Sequence, residues 1–352
     1  MDTRLTPEQD ELRRTARQLA RELGPRAVAD LGDEKRSARL AEAVGDAGWL
    51  ELRRDGGESG PLASGVEASL IAEALAESMA DVPFAGPVLA GDLARRAGVE
   101  AVEGAVVAFD ADLVEPAIAS GGVTTAAIHA VDAPAAGPVT AYVLAPEGEG
   151  HRLATVEATA AGDGADLTRA VRRVPVGTPC LPVAGQSRLL TRADLDAWVA
   201  LGLALASADL VGLMRGVTVA SVAYAAERKQ YGAAIGSFQA VQHLLAEAHV
   251  LAEGAASAAA YPAWAVDALA PAEARAAGRM AKAYCARAAR TVCETAVQVH
   301  GGIGNTWDCM VHVHLRRALL SSRWFGDDGE MLLQLQETRL GVFDRRVPHG
   351  LS

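Results

Sequence analysis

Two glycine-containing segments carry the residues best suited to binding a phosphorylated ligand. The first, Glu227–Gln239, contains Arg228, whose planar guanidinium can pair with two phosphate oxygens at once. Gly232 and Gly236 allow the chain to turn tightly there. Gln239 begins the next predicted helix, where free backbone N–H groups favour an anion. This segment therefore predicts one side of a pyrophosphate site.

The second segment, Gln298–Gly304, follows a long predicted helix. Gln298 offers a side-chain amide, and Gly301 and Gly302 leave room for a flat ligand or another backbone to approach. Taken alone, a glycine pair after a helix usually ends that helix. A charged run such as Arg228–Tyr231 usually lies at a solvated helix end. The prediction of a binding site therefore depends on the two segments occurring together.

The elements that must position these segments fall into three parts. Residues 1–104 show helical periodicity that opens with a capping box at Thr6–Gln9, which predicts an N-terminal helical domain. Residues 105–188 contain short apolar or alternating runs between turn residues, which predicts a shortened, antiparallel middle β domain. Residues 189–352 contain long helical stretches with short links, which predicts a C-terminal four-helix bundle. The fold class is thus mostly α with a small β domain.

Composition narrows the partners and the compartment. The 352 residues carry a net charge of −11, so nucleic acid and anionic lipid are excluded as natural partners. The polar N-terminus has no signal-peptide pattern, and the apolar stretch Trp198–Val211 is interrupted by Asp209 and too short to span a bilayer. We therefore expect a cytoplasmic protein without membrane insertion.

The four cysteines form no CxxC pair, so we expect reduced thiols. His312 and His314 lie two positions apart, on different helix faces, so we expect no metal site.

The order of helices, strands and bundle, together with the two segments, resembles the acyl-CoA dehydrogenase family. Its members carry Arg-x-x-Phe-Gly…Phe-Gln followed by Gln-x-x-Gly-Gly-x-Gly, which match Arg228–Gln239 and Gln298–Gly304 here. Shorter N-terminal segments also fit the family pattern: Leu5–Gln9, Gly48–Leu50, Gly56–Gly57 and Val82–Phe84. The resemblance covers the whole C-terminal half and much of the N-terminal half.

The resemblance implies an oxidoreductase that desaturates an acyl-CoA thioester between its α and β carbons. A glutamate removes the α-proton while FAD takes a hydride, and an electron-transfer acceptor then reoxidises the flavin. Family members hold FAD across a subunit interface, so an oligomer is expected. One subunit's β domain grips the flavin ring, and the other subunit's bundle contacts the pyrophosphate and adenosine. By position, the bundle contacts fall on a set of five residues: Arg228, Gln239, Gln298, Gly301 and Gly302.

The family's catalytic base is missing from its expected positions. In many members it is the tenth residue of a segment that begins with an arginine matching Arg316, which gives Phe325. In other members it lies before the arginine motif, at a position that corresponds to about Gly202. Three carboxylates lie near in sequence but out of register: Asp209, Asp327 and Asp328. The identity of any catalytic residue therefore stays unknown at this stage.

The middle domain also lacks the family's flavin-cradling loop, of which Asp112–Ala117 is a faint trace, and its later Trp-Ile-Thr segment. The leading hypothesis is a subunit that supplies the pyrophosphate and adenosine side of an FAD site shared with a second, base-bearing acyl-CoA dehydrogenase subunit, as in some actinobacterial α2β2 assemblies. Three alternatives stay open: a homomeric dehydrogenase with a displaced carboxylate, a flavin-free lyase, and a structural partner on the same fold. The sequence leaves the acyl group (fatty, branched or sterol-derived), the choice of dimer or tetramer, and the electron acceptor undetermined.

Overall fold

The computed structural model of the chain describes residues 4–57, 60–134, 137–161 and 164–339. Its N-terminal part is helical, as the sequence predicts. Thr6 and Gln9 form the expected capping box, because the backbone N–H of each donates to the side chain of the other. The helices of this part are α1 (Pro7–Leu23), α2 (Glu34–Asp46), α3 (Gly65–Glu77) and α4 (Ala85–Ala97).

The middle part is built on a seven-stranded sheet with the order β7-β8-β4-β1-β5-β6-β9. The strands of this part are β1 (Val106–Phe109), β2 (Ala119–Ser120), β3 (Val123–Thr124), β4 (Ile128–Ala133), β5 (Val139–Glu147), β6 (Gly150–Ala158), β7 (Ala160–Ala161), β8 (Ala170–Val174) and β9 (Leu181–Pro182). The prediction of a purely antiparallel sheet is wrong at one pair, since β1 and β5 run parallel. Short runs of apolar residues do not reveal strand direction, and the long connection between β1 and β5 leaves room for the crossover.

The C-terminal part begins at α5, which Thr191 caps through its side chain. A short hairpin and the helices of the bundle follow: α5 (Arg192–Glu227), β10 (Lys229–Gln230), β11 (Ala233–Ala234), α6 (Gln239–Ala268), α7 (Pro271–His300), α8 (Val311–Arg323) and α9 (Asp328–Arg339). α6 continues through Pro262, where the sequence indicates a kink or an end. Pro262 is buried, so tertiary packing there outweighs the backbone hydrogen bond that proline cannot donate. The predicted class, mostly α with a small β domain, is confirmed.

α5 is the central element of the core. Its residues Ala197–Met214 are buried, and it packs against α3, α6, α7 and α8. Gly212 faces the backbone of α3 so closely that a Cβ would overlap the carbonyl of Glu73. α5 is the one helix in the described part that could cross a membrane by length and composition, and its most apolar window lies entirely inside the fold. The apolar stretch is longer than the sequence pattern indicates, because Asp209 is paired within the core and does not end it.

Candidate functional site

One end of the bundle collects the five residues that the sequence singles out for cofactor binding. Arg228 follows the last residue of α5, and Gln239 begins α6. Gln298 lies in the last turn of α7, and Gly301 and Gly302 follow that helix directly. Because α6 packs antiparallel to both α5 and α7, these helix ends lie on the same side of the bundle. The structure thus brings together segments that are far apart in sequence.

The polar side chains at this end are free to meet a ligand. Arg228, Gln239 and Gln298 are exposed, and within the described ranges none of their side chains has a hydrogen-bond or ion-pair partner. A free arginine is notable in a chain with a net charge of −11, where a carboxylate partner would be easy to find. An exposed guanidinium and two exposed amides can together hold a phosphate and a polar ring.

The backbone at this end is equally accessible. Gly301 has φ 64° and ψ −144°, a conformation that favours glycine, and a Cβ added at Gly301 or Gly302 would meet no atom within 4 Å. The N-terminus of α6 has no side-chain cap, so its first N–H groups point outward with the positive end of the helix dipole. These features fit the diphosphate of a dinucleotide such as FAD.

A hairpin carries two exposed aromatic rings beside this end. Tyr231, at the tip between β10 and β11, is 96% exposed and has φ 53°. Its ring meets that of Phe238 edge to face, with centroids 6.3 Å apart. The ring of Tyr231 is therefore available for contact with another molecule. Sequence reasoning places both aromatics inside the first motif but does not reveal their exposure.

The two positions at which family members carry a catalytic base meet in the interior of this chain. The ring of Phe325 lies directly on Gly202, so closely that a Cβ added at Gly202 would overlap the ring. Phe325 is 2% exposed and packs with three other buried rings: Phe109, Trp198 and Trp324. The centroid distances from Phe325 to these rings run from 5.1 to 5.5 Å. We call these four residues the aromatic cluster; close-packed rings fill the space beside Gly202.

The turn that holds Phe325 is anchored from two sides. Phe325 has φ 66°, which is strained for a bulky residue, and its N–H donates to the carbonyl of Leu113 at 2.8 Å. The buried ammonium of Lys282 donates at 2.9 Å to three carbonyls around the turn, those of Ser322, Trp324 and Gly326. Burial lowers the pKa of Lys282 to about 7. Sequence reasoning missed Lys282, because a lysine in an amphipathic helix normally faces solvent.

The faint trace of the flavin-cradling loop is part of this closure. The N–H of Val114 donates to Asp110 at 2.9 Å, and Leu113 has φ 63°, so the loop folds back on itself. A cleft of about 640 Å³ separates this loop from α9. Its lining includes an arginine and a set of carboxylates: Arg323, and Asp110, Asp112, Glu115, Asp327, Glu330 and Glu337. Such a lining repels the phosphates of coenzyme A.

Asp209, one of the out-of-register carboxylates, is committed to a buried ion cluster. Its carboxylate accepts from Arg169 at 2.6 Å, from Arg317 at 2.7 Å and from the hydroxyl of Ser321 at 2.7 Å. Burial alone would raise the pKa of Asp209, but the two arginines and the hydrogen bonds outweigh burial and lower it. Asp209 therefore stays ionised and fully bonded, which removes it as a displaced base. This buried ion cluster joins α5, α8 and the middle β domain beneath Trp324.

The two other carboxylates are also engaged. Asp327 accepts from the N–H of Glu330 at 2.9 Å in the first turn of α9. Asp328 pairs with Arg287 at 3.1 Å on the surface. Both lie beside the acidic cleft or at the surface, away from the buried face of Phe325. None of the three out-of-register carboxylates is therefore free to act as a base.

Comparison with known proteins agrees with the motifs. Residues 202–340 match the model of the acyl-CoA dehydrogenase C-terminal domain. The acyl-CoA dehydrogenase IpdE2 of Mycolicibacterium smegmatis is 26% identical over 94% of this chain and 99% of its own length. The acyl-CoA dehydrogenase FadE34 of Mycobacterium tuberculosis is 37% identical over 39% of this chain, and that match spans only 19% of FadE34.

The fold is also shared with solved structures. The ChsE4–ChsE5 complex from Mycobacterium tuberculosis contains a chain that superimposes with a TM-score of 0.74, at 23% identity, over 96% of this chain and 99% of its own. The overlap extends over the N-terminal helices, the sheet and the bundle, beyond the C-terminal region that the family model covers. The C-terminal region therefore matches the acyl-CoA dehydrogenase family, and the chain as a whole shares the fold of the chain in the ChsE4–ChsE5 complex.

Proposed function

We propose that this chain is the non-catalytic subunit of a heteromeric, FAD-dependent acyl-CoA dehydrogenase. In this proposal a second family subunit supplies the catalytic base and the flavin-ring side of the site. This chain supplies the pyrophosphate and adenosine side through Arg228, Gln239, Gln298, Gly301 and Gly302. The complex desaturates an acyl-CoA thioester, and FAD, when bound, supplies the hydride acceptor. The single observation that carries the proposal is the contrast between an open bundle end and a filled base position.

The bundle end supports the cofactor half of the proposal. Arg228 places a permanently charged fork beside an uncapped helix N-terminus, and both attract a diphosphate. The glycines after α7 leave the backbone accessible to a flat group. None of these groups is engaged by the described part of its own chain. The exposed Tyr231 beside them fits a surface that a partner subunit covers.

The aromatic cluster supports the non-catalytic half. α-Proton abstraction needs a carboxylate in a desolvated site beside the thioester carbonyl. Neither Phe325 nor Gly202 can take up a proton. The ring of Phe325 also fills the space beside Gly202. The nearby cleft presents carboxylates to any approaching phosphate. The relative in the ChsE4–ChsE5 complex, which shares the fold, is likewise a member of a two-protein assembly.

The deciding measurement is the absorbance spectrum of the purified chain, alone and co-expressed with a family subunit encoded beside it. We expect no flavin band from the chain alone and a band near one FAD per pair in the complex. The Arg228→Ala complex should lose most of this band, whereas Arg290→Ala should keep it. Arg290 is an exposed arginine on α7 that pairs with Glu294, so it matches Arg228 in type but not in place.

Each other result selects a different function. Stoichiometric flavin and turnover from the chain alone would contradict the proposal and favour a homomeric dehydrogenase. A complex that forms but stays colourless would favour a flavin-free lyase or a structural partner. Acyl-CoA substrates of different length and branching, assayed on a flavin-containing complex, would then identify the acyl group. Cytoplasmic location stays a prediction that cell fractionation tests.

A further inference from the structure

The two cofactor-binding segments lie on different helices, so something must hold them at a fixed separation. Tyr224 lies in the last turn of α5, and its carbonyl accepts the N–H of Arg228 at 2.8 Å. His300 is the last residue of α7 and directly precedes Gly301. Each residue is thus bonded to, or adjacent to, one of the two segments. A contact between Tyr224 and His300 would therefore link the two segments.

The two side chains are stacked. Their ring centroids are 4.2 Å apart with an interplanar angle of 18°, and the Tyr224 hydroxyl lies 3.5 Å from the carbonyl oxygen of His300. Nδ1 of His300 lies 2.9 Å from the carbonyl of Ala296, so the neutral ring donates there and its orientation is fixed. Gly304 makes room on the other side, since a Cβ there would lie 3.1 Å from the Cβ of His300. The third glycine of the motif, Gly304, thus leaves room for the side chain of His300.

The stack is built from neutral rings. Burial lowers the pKa of His300 below its ordinary value, so the imidazole is uncharged at neutral pH. His314 on α8 is its titratable neighbour, and burial lowers the pKa of that ring to about 4. An uncharged imidazole stacks on a half-buried tyrosine without the desolvation penalty of a cation. The contact therefore needs no buried charge at neutral pH.

We propose that Tyr224 and His300 are positioning residues that set the distance between Arg228 and the Gly301–Gly302 turn for cofactor binding. The inference rests on the proposed cofactor role of this bundle end. The two rings act through the residues beside them and need no contact with the cofactor. Their loss should lower FAD affinity more than it lowers stability. If the two rings served only as core packing, their loss would lower stability more than it lowers FAD affinity.

The test uses the flavin-containing complex of this chain with its partner subunit. FAD is removed, and its dissociation constant is then measured by the change in flavin fluorescence on titration. Tyr224→Phe keeps the stack, whereas Tyr224→Leu removes it. Tyr261→Leu is the matched control, because Tyr261 stacks on Trp264 at the opposite end of α6, with centroids 6.0 Å apart. His300→Asn removes the stack from the other side, and asparagine is tolerated at helix C-termini.

We expect Tyr224→Leu and His300→Asn to raise the FAD dissociation constant about tenfold, the size expected for one aromatic contact. Tyr224→Phe and Tyr261→Leu should match the wild type, and the FAD-free Tyr224→Leu and Tyr261→Leu complexes should melt at similar temperatures. Unchanged affinity in both stack-removing variants, or an equal loss in Tyr261→Leu, would overturn the positioning role while leaving the cofactor site intact. If Arg228→Ala also leaves FAD affinity unchanged, both the positioning role and the cofactor site are wrong.

Discussion

The bundle end and the aromatic cluster contrast in what fills the space beside a glycine. At the bundle end, a Cβ on Gly302 would meet no atom within 4 Å, and the side chains of Arg228 and Gln298 have no partner among the described residues. In the cluster, Gly202 receives the ring of Phe325 from its own chain. One glycine keeps space open for a ligand, and the other allows a side chain to close it. The same residue type thus borders open space in one region and a close-packed ring in the other.

The comparison also explains how one chain could lose half of a composite site and keep the other half. Gly202 lies in the first half of α5, whereas Arg228 follows the last residue of that helix, so substitutions at Phe325 or Gly202 lie away from Arg228 and the glycine turn. In a shared site, each half belongs to a different partner. A subunit that closes its own acyl side can therefore still complete the site of a neighbour.

The largest expected effect lies beneath the aromatic cluster. Asp209→Asn would leave the buried charges of Arg169 and Arg317 without their shared carboxylate. We expect the free energy of unfolding in urea to fall by about 3–5 kcal/mol, the usual effect of breaking a buried ion pair. Arg169 also lies 5.7 Å from the Trp324 ring, so the packing of the aromatic cluster should loosen as well. Asp328→Asn, at a surface pair, is the control and should change stability by less than about 1 kcal/mol. A stable Asp209→Asn variant that loses dehydrogenase turnover would restore Asp209 as a candidate base.

A smaller loss is expected from Gly202→Ala, which places a methyl group where the Phe325 ring lies. We expect destabilisation of about 2–3 kcal/mol, because overpacking forces rings off their rotamers. Binding of FAD to the complex should change little, since the altered contact lies away from the bundle end. Urea unfolding and flavin titration on the same variant separate the two effects. A wild-type stability would mean that Phe325 moves aside and that the closed pocket can open.

Lys282 should give a pH-dependent effect on the same region. Its pKa is lowered to about 7 in the folded chain, against about 10.4 for a free lysine, so the unfolded state binds more protons between these values. The contribution of Lys282 to stability therefore rises as pH increases through this window. Near pH 7, Lys282→Met should cost about 1–2 kcal/mol, because three carbonyls lose their donor. The gap between wild type and variant in urea unfolding should widen from pH 7 to pH 10. A gap that stays constant would mean that the three carbonyls keep the pKa of Lys282 near its ordinary value.

The sequence predicts the bundle end better than the aromatic cluster for a physical reason. Helix periodicity, the Thr6 cap and the two glycine segments are local patterns, and the fold class that follows from them is confirmed. The absence of a base at Phe325 and Gly202 is also visible in the sequence. What fills that space is not, because it depends on a contact between residues far apart in the chain.

Other features escape prediction for the same reason. Asp209 looks like a break in an apolar stretch until Arg169 and Arg317, 40 and 108 residues away, are seen to neutralise it. Strand direction in the β1–β5 pair and the continuation of α6 through Pro262 are likewise decided by packing. The roles of Arg228, Gln239, Gln298, Gly301 and Gly302 in cofactor binding stay predictions. The structure shows that they lie at one end of the bundle and are exposed, and binding measurements must supply the rest.

The smallest expected change in stability is at Gly302, the glycine that borders open space at the bundle end. Gly302→Ala adds a methyl group into open space in a short 3₁₀ turn, where its φ does not require glycine. We expect the free energy of unfolding to stay within about 0.5 kcal/mol of the wild type, as for an ordinary surface substitution. If the turn receives a flat cofactor, the same methyl group should raise the FAD dissociation constant of the complex, because only the ligand would meet it. The two alanine substitutions would then separate stability from binding. Gly202→Ala would lower stability and keep FAD affinity, whereas Gly302→Ala would keep stability and lower FAD affinity. Unchanged FAD affinity in the Gly302→Ala complex would place the cofactor away from this turn.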